Sequence, residues 1–366
     1  RNQSCCCMNG LQRHGSGALL LIVGDKVQKR GRGMKVSRTK LGLAMLAATA
    51  LIASHEAWGQ RLGQLGPECR TPALRQCLDA ADRRQCIMGA MQQLPDSCRK
   101  AISEGAAARA VLPAGGRELS FGSDPRQRLD LVMPSSASAK APVLLFVHGG
   151  GWSIGDKRIG SEVKGRHFAA QGWAFASTNY RLVPAATVEQ QAADVAAAVA
   201  SLRRQAGVDP DRIVLMGHSA GAHLAALVAS DPSYLRAAGV PMSAVRGAVL
   251  LDGAGYDVGE QMAEPRNAVL SMYTQAFGTD PKRQAALSPA RHAAAPNAAE
   301  WLILPVAQRR DSTAQSEKLA RLLRAGGSRA EVLPQPGKTH MTLNRELGQP
   351  GDQSTAVVDR FLAQLR

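Results

Sequence analysis

From about residue 118 onward the apolar positions fall into short unbroken runs, separated by segments whose apolar residues recur with helical spacing. Residues 143–147, 173–177, 212–216, 247–252, 301–306 and 330–333 read as strands. These runs show no polar alternation, so both faces of the sheet they form are expected to be covered. Residues 187–204, 222–230, 313–324 and 355–365 read as helices between or after them. In front lie two shorter runs, 118–122 and 128–133, flanking Ser123-Asp124-Pro125, a turn signal that makes them a hairpin. The pattern predicts an α/β fold over residues 117–366, a mostly parallel sheet with helices on both faces.

The first part of the chain reads differently. Residues 1–33 begin without Met, contain Cys5-Cys6-Cys7, and are expected to be upstream sequence or the product of a mis-set start. Residues 34–59 have the layout of a secretory signal peptide. A basic stretch from Met34 to Lys40 precedes thirteen residues of apolar core, and Ala57 and Gly59 supply small side chains for cleavage before Gln60. The apolar core is too short for a stable membrane span, so a periplasmic or secreted protein is expected. Residues 103–116, rich in Ala and Gly, read as a linker.

Between leader and linker, residues 60–102 hold Cys69, Cys77, Cys86 and Cys98, and the chain after Cys98 holds no cysteine. An even number in an exported chain points to disulfides. Residues 72–81 and 83–94 read as helical, so an antiparallel hairpin would nest Cys77–Cys86 inside Cys69–Cys98. A zinc site is the weaker reading, because there is no C-x-x-C and no neighbouring histidine.

The formal charge of +16 raises the question of a nucleic-acid partner. Residues 1–59 carry nine Lys/Arg against two Asp/Glu, leaving 36 against 27, a formal +9, for the rest. Aromatics make up 4% of the chain and no basic stripe is interleaved with them, so a solvated basic surface is expected and nucleic acid is not.

The most informative stretch is Gly217-His218-Ser219-Ala220-Gly221, directly behind the strand at 212–216 and ahead of the Ala/Leu-rich helix. A small-x-Ser-x-small turn between strand and helix forces the serine into a strained bend that lifts its hydroxyl off the sheet. Ser219 is therefore the candidate nucleophile. A serine hydroxyl needs a base, and the base needs an acid to hold its tautomer. His340 is the candidate base: it follows the last strand, in Gly337-Lys338-Thr339-His340-Met341, and no other histidine lies beyond the strand at 301–306.

The acid is expected at Asp311, which follows the strand at 301–306 by Ala307-Gln308-Arg309-Arg310 and could equally be a helix cap. Asp252, at the end of the preceding strand, is the runner-up. Three glycines in His148-Gly149-Gly150-Gly151-Trp152, at the end of the first buried strand, let main-chain N–H groups approach a developing oxyanion. Gly150 and Gly151, with Ala220, are the expected donors, and His148, Gly149 and Trp152 would support the loop. Residues 253–300 include a helical stretch, 268–277, expected to overhang the site. Tyr256 and Trp152 are candidates either for its wall or for core packing.

These motifs, together with Gly155-Asp156-Lys157, the stretch from Asn179 to Pro184, Leu251-Asp252-Gly253-Ala254-Gly255-Tyr256-Asp257 and the tail from Thr339 to Gly348, resemble the α/β-hydrolases. Within them the chain is most similar to the esterase branch that includes feruloyl-esterase-like and kynurenine-formamidase-like proteins. The resemblance covers about residues 115–366. It implies acyl transfer through Ser219, His340 and Asp311, a small-molecule ester as substrate, no cofactor and no metal. Where many members carry His-Gly ahead of the acid, this chain has Ala307-Gln308. An aryl formamidase using the same triad is the alternative, and the cysteine-bearing front segment is unlike a cytosolic enzyme of that kind.

Overall fold

The computed structural model describes residues 114–135, 140–264 and 269–365, together with Leu94, Pro95, Cys98 and Leu112. All of them fall in the unit that runs from Ala57 to Arg366. The expected leader, most of the four-cysteine segment and most of the linker lie outside the described residues. Cys98 is fully buried and disulfide-bonded; Cys69, Cys77 and Cys86 lie outside them too.

Eight strands form one sheet in the order β1-β2-β4-β3-β5-β6-β7-β8. The hairpin is present as β1 (Gly116–Ser120) and β2 (Arg128–Val132), paired antiparallel. Its turn is closed by Asp124, whose carboxylate accepts from the Arg126 N–H at 2.8 Å and whose carbonyl accepts from the Gln127 N–H at 2.9 Å. Strand β2 also runs antiparallel to β4 (Ala174–Thr178). Every later pairing is parallel, linking β4, β3 (Ala141–Val147), β5 (Val208–His218), β6 (Val245–Leu251), β7 (Glu300–Leu304) and β8 (Arg329–Val332).

The missing polar alternation has its physical cause here. Along β3, Val143, Leu145 and Val147 enter one core while Leu144 and Phe146 enter another, on the opposite face of the sheet. Strands β5, β6 and β7 divide in the same way, with Leu215, Leu250 and Ile303 on one side and Met216, Leu251 and Leu304 on the other. Successive side chains point to opposite faces, so a strand covered twice must be apolar throughout.

The first core is closed by α2 (Val188–Arg203), α3 (Ala220–Ser230) and α8 (Arg310–Ala325). The second is closed by α1 (Ser161–Ala170), α9 (His340–Glu346) and α10 (Gln353–Ala363). The expected doubly covered, mostly parallel sheet is thus the observed one.

Helix α2 starts where the sequence places it, because Thr187 and Gln190 cap each other reciprocally. Helix α1 gave no apolar signal: it buries Ser161, Lys164 and Gly165 alongside Phe168. The segment after β6 holds α5 (Val258–Ala263), α6 (Leu270–Phe277) and α7 (Pro281–Ala286), while the short α4 (Pro232–Ala237) follows α3. Among the described residues no helix is long and apolar enough to cross a membrane, and no group of three His, Cys, Asp or Glu could hold a metal ion.

Candidate active site

Three non-glycine residues among those described adopt left-handed backbone: Trp152 (φ 61°), Ser219 (φ 58°) and Asp252 (φ 46°). They follow the carboxyl ends of β3, β5 and β6, which are neighbours in the sheet. Such conformations cost on the order of 1–3 kcal/mol each and persist only where surrounding structure imposes them. Open α/β sheets bind ligands at this edge, beside the strand where the order reverses.

Ser219 forms the elbow and is partly exposed. Its N–H donates to the Leu251 carbonyl at 3.0 Å, tying the bend to the end of β6. The flanking glycines are required by space. A Cβ on Gly217 would stand 2.1 Å from the Gly221 carbonyl oxygen, and one on Gly221 would stand 2.1 Å from that of Val147. The turn is therefore pressed against β3 as well as its own helix.

The glycine loop comes in from β3. A Cβ on Gly149 would lie 3.0 Å from the Cβ of Ser219, so this loop passes directly over the elbow. Gly150 and Gly151 have φ of 131° and 57°. A Cβ on Gly150 would collide with the Ile154 carbonyl at 2.1 Å. This loop is braced from behind. The His148 ring stacks on Tyr180 at 4.4 Å, its Nδ1–H donates to the Gly149 carbonyl at 2.8 Å, and the Tyr180 hydroxyl donates to the His148 carbonyl at 2.9 Å. Burial, with the nearby Arg126 cation, pulls the His148 imidazole down to about 4, so it stays neutral. Asn179 adds a second brace, accepting from the Lys157 N–H at 2.7 Å and donating to Asp156 at 2.8 Å.

Trp152 is 1% exposed and packs edge-on against Tyr273 and Phe277 of α6 and against His223. Tyr256 is wholly buried. Both belong to the packing of the site rather than to an open wall. The expected helical stretch is present as α6, and through these rings it is fastened to the glycine loop.

His340 opens α9, whose N-cap Thr339 exchanges main-chain and side-chain hydrogen bonds with Thr342. Its carbonyl accepts from His218 Nε2–H at 2.8 Å, and the two rings lie 4.5 Å apart, which sets His340 beside the elbow. His218 is buried, and burial first, then the His340 ring, hold it well below its ordinary range. Lys164 of α1 secures the same helix, donating to the Asn344 carbonyl at 2.5 Å and to the Gly160 carbonyl at 3.0 Å.

The carboxylate partner of His340 is where the structure departs from expectation. Nδ1 of His340 lies 2.5 Å from Oδ2 of Asp252. The Asp252 carboxylate is fully buried, and its Oδ1 accepts from the Val306 N–H at 2.9 Å. Burial by itself would push this carboxyl up, but the His340 hydrogen bond and the Arg309 charge hold it well below the usual carboxylate range. Asp311 instead sits in the first turn of α8 and accepts from Arg309 Nη2 at 2.9 Å.

The turn after β7 explains the exchange. The Arg309 N–H donates to the Val306 carbonyl at 2.9 Å, and the guanidinium then lies between Asp311 and the Asp252–His340 pair. Asp311 does not cap α8 either, since Arg309 is the N-cap residue. The expectation of Asp311 as partner of His340 is corrected to Asp252. Arg309 has no sequence signal beyond the Arg-Arg pair that stands just after Ala307-Gln308.

Comparison with known proteins agrees with this architecture. A family model described as BD-FAE matches residues 129–237. The chain is 39% identical over 113 residues to a probable isoprenylcysteine alpha-carbonyl methylesterase, ICME, of Oryza sativa subsp. japonica, a match covering 30% of this chain and 27% of that protein. It is 38% identical over 125 residues to esterase LipC of Mycobacterium tuberculosis, covering 32% and 31%. The matches thus span about a third or less of these curated relatives.

Among solved structures, esterase B from Lactobacillus Rhamnosis superposes with a TM-score of 0.60 at 21% identity, covering 76% of this chain and 94% of that one. The apo form of Thermogutta terrifontis esterase 2 gives 0.57 at 23%, covering 69% and 96%. The chain has the fold of these solved esterases, and about a third of it is similar in sequence to proteins described as esterases.

Proposed function

We propose that the protein is a serine carboxylic-ester hydrolase in which Ser219 is the nucleophile, His340 the base and Asp252 the acid. The reading is carried by the 2.5 Å contact of Asp252 with His340 Nδ1. A carboxylate can only accept, so Nδ1 carries the proton and Nε2 keeps its lone pair for the serine hydroxyl.

In the forward step Ser219 Oγ attacks the ester carbonyl and its proton passes to His340 Nε2. The main-chain N–H groups of Gly150, Gly151 and Ala220 receive the tetrahedral oxyanion; one such donor is worth roughly 3 kcal/mol of transition-state stabilisation. His340 then gives its proton to the leaving alkoxide, the C–O bond breaks and the alcohol departs. Water repeats the sequence on the acyl-enzyme, releasing the acid and restoring Ser219. Support for an ester comes from the relatives, whose names describe esterases.

Export belongs to the same proposal. It is supported by the leader pattern of residues 34–59 and by the disulfide at Cys98. N-terminal sequencing of the protein recovered outside the cytoplasm should begin at Gln60; a retained, uncleaved leader would refute it.

The deciding experiment is turnover of a p-nitrophenyl ester series by the purified protein, with N-formylkynurenine alongside and Ser219→Ala as control. Fast cleavage of the esters that disappears in Ser219→Ala is the expected result. Preferred cleavage of the formamide would reassign the same residues to an amidohydrolase. Wild-type turnover by Ser219→Ala would overturn the mechanism.

A further inference from the structure

A serine, a histidine and an acid suffice for acyl transfer, yet here a guanidinium is built into the acid's own position. Arg309 Nη1 donates to Asp252 Oδ2 at 2.7 Å and approaches the Asp252 carbonyl oxygen at 3.3 Å, while Nη2 donates to Asp311 at 2.9 Å. Nη1 also stands 2.9 Å from His340 Nδ1. That approach is not a hydrogen bond. Guanidinium has no acceptor, and Nδ1 must keep its proton to donate to Asp252, so two donors converge on one oxygen.

With a neutral imidazole this crowding matters little. It matters when His340 takes the Ser219 proton, because a full positive charge then forms beside a fixed cation. Like charges in a partly buried site repel far more strongly than in water. Asp311 lies on the far side of the guanidinium and divides its charge. Asp252, Arg309 and Asp311 together present the imidazole with one net negative charge, as a lone carboxylate would.

We propose that Arg309 and Asp311 are a pair of positioning residues that set the charge felt by His340: Arg309 fixes Asp252 and opposes protonation of the imidazole, and Asp311 restores the balance. Asp311 thus acts on the base at one remove, through Arg309. This inference rests on the esterase reading above. Three other charged or titratable side chains near His340 have hydrogen-bond or ion-pair partners of their own. His218, at the end of β5, donates to the His340 carbonyl. Lys164 of α1 is engaged with main-chain carbonyls, and Lys338 in the preceding loop pairs with Glu346 and Asp352.

The test is the pH dependence of kcat/KM on p-nitrophenyl acetate, whose acidic limb reports protonation of the base. Arg309→Gln should move that limb to higher pH by on the order of one unit, and Asp311→Asn should move it to lower pH by a similar amount. Arg309→Lys, which keeps the charge, should stay close to wild type, and the double variant Arg309→Gln/Asp311→Asn should return toward it. A merely structural pair would lower rates without opposite shifts. Limbs that do not move, or that move in the same direction, overturn the proposal.

Titration of the His340 ring proton by NMR reads the same shifts without turnover. Should Arg309→Gln fail to fold, Asp311→Asn and Arg309→Lys decide the matter. Failure of the esterase reading looks different, since Ser219→Ala would then retain activity or the wild type would have none.

Discussion

Oδ2 of Asp252 and Nδ1 of His340 meet at 2.5 Å across 88 residues of sequence. The contact joins the end of β6 to the first turn of α9, and β7 with its helix is passed over. Asp252→Asn would present an amide where His340 needs an acceptor and would favour the wrong tautomer, a change that costs about 10⁴ in kcat where such an acid has been replaced. Asp311→Asn should stay within about tenfold of wild type at the optimum, since its carboxylate meets only the far side of Arg309. Steady-state kinetics of both variants checks this, and the reverse ranking would return the acid to Asp311.

The elbow glycines make a second case. A methyl group on Gly221 would lie 2.1 Å from the Val147 carbonyl oxygen, a main-chain atom of the central strand. Neither side can yield without parting β3 from α3. Gly172 has a left-handed φ of 82° but no neighbour within 4 Å, so alanine there carries only the backbone cost of roughly 1–2 kcal/mol. Thermal denaturation should show Gly221→Ala far less stable than Gly172→Ala. Equal melting points would mean that the elbow is looser than its contacts indicate.

Acid should unfold the protein through its buried histidines. Burial draws His148 and His223 down to about 4, against an ordinary value of 6.5. Between those values the unfolded chain binds protons that the folded chain refuses, so stability falls as pH drops from 6.5 toward 4 and is independent of these groups above 6.5. Urea unfolding across that window should show a shallower pH slope in His223→Gln than in wild type. An unchanged slope would remove His223 from the account.

Lys164 has the opposite window. It is wholly buried without a carboxylate on its Nζ, and burial lowers it to about 7 from an ordinary 10.5. From pH 7 to 10.5 the unfolded chain holds the extra proton, so this lysine makes stability rise with pH across that range. Below pH 7 its charge is buried at full cost. Lys164→Met should therefore lose part of the wild-type rise in unfolding midpoint between pH 7 and 10. A parallel pH profile in the two proteins would show that the ammonium is solvated.

What the sequence determined by itself is local. Runs such as Val143 to Val147 declare a strand covered on both faces, because each residue has only its own side of the sheet to satisfy. The elbow and the glycine loop are equally legible, since close packing of main chain admits glycine alone at Gly217 and Gly221 and because a left-handed bend is needed at Ser219. His340 follows from position, as the histidine after the last strand. Helix α1 was not legible, because a helix that buries Ser161, Lys164 and Gly165 has no apolar stripe to read.

The choice between Asp252 and Asp311 belonged to the tertiary structure. Both follow strands and both lie at the same edge of the sheet, so no local rule separates them. The turn after β7 decides it by setting a guanidinium between Asp311 and the imidazole, while the left-handed backbone at Asp252 directs its carboxylate to Nδ1. Which carboxylate a base receives depends on what else fills the few ångströms around it, and that is fixed only when four strand ends are brought together.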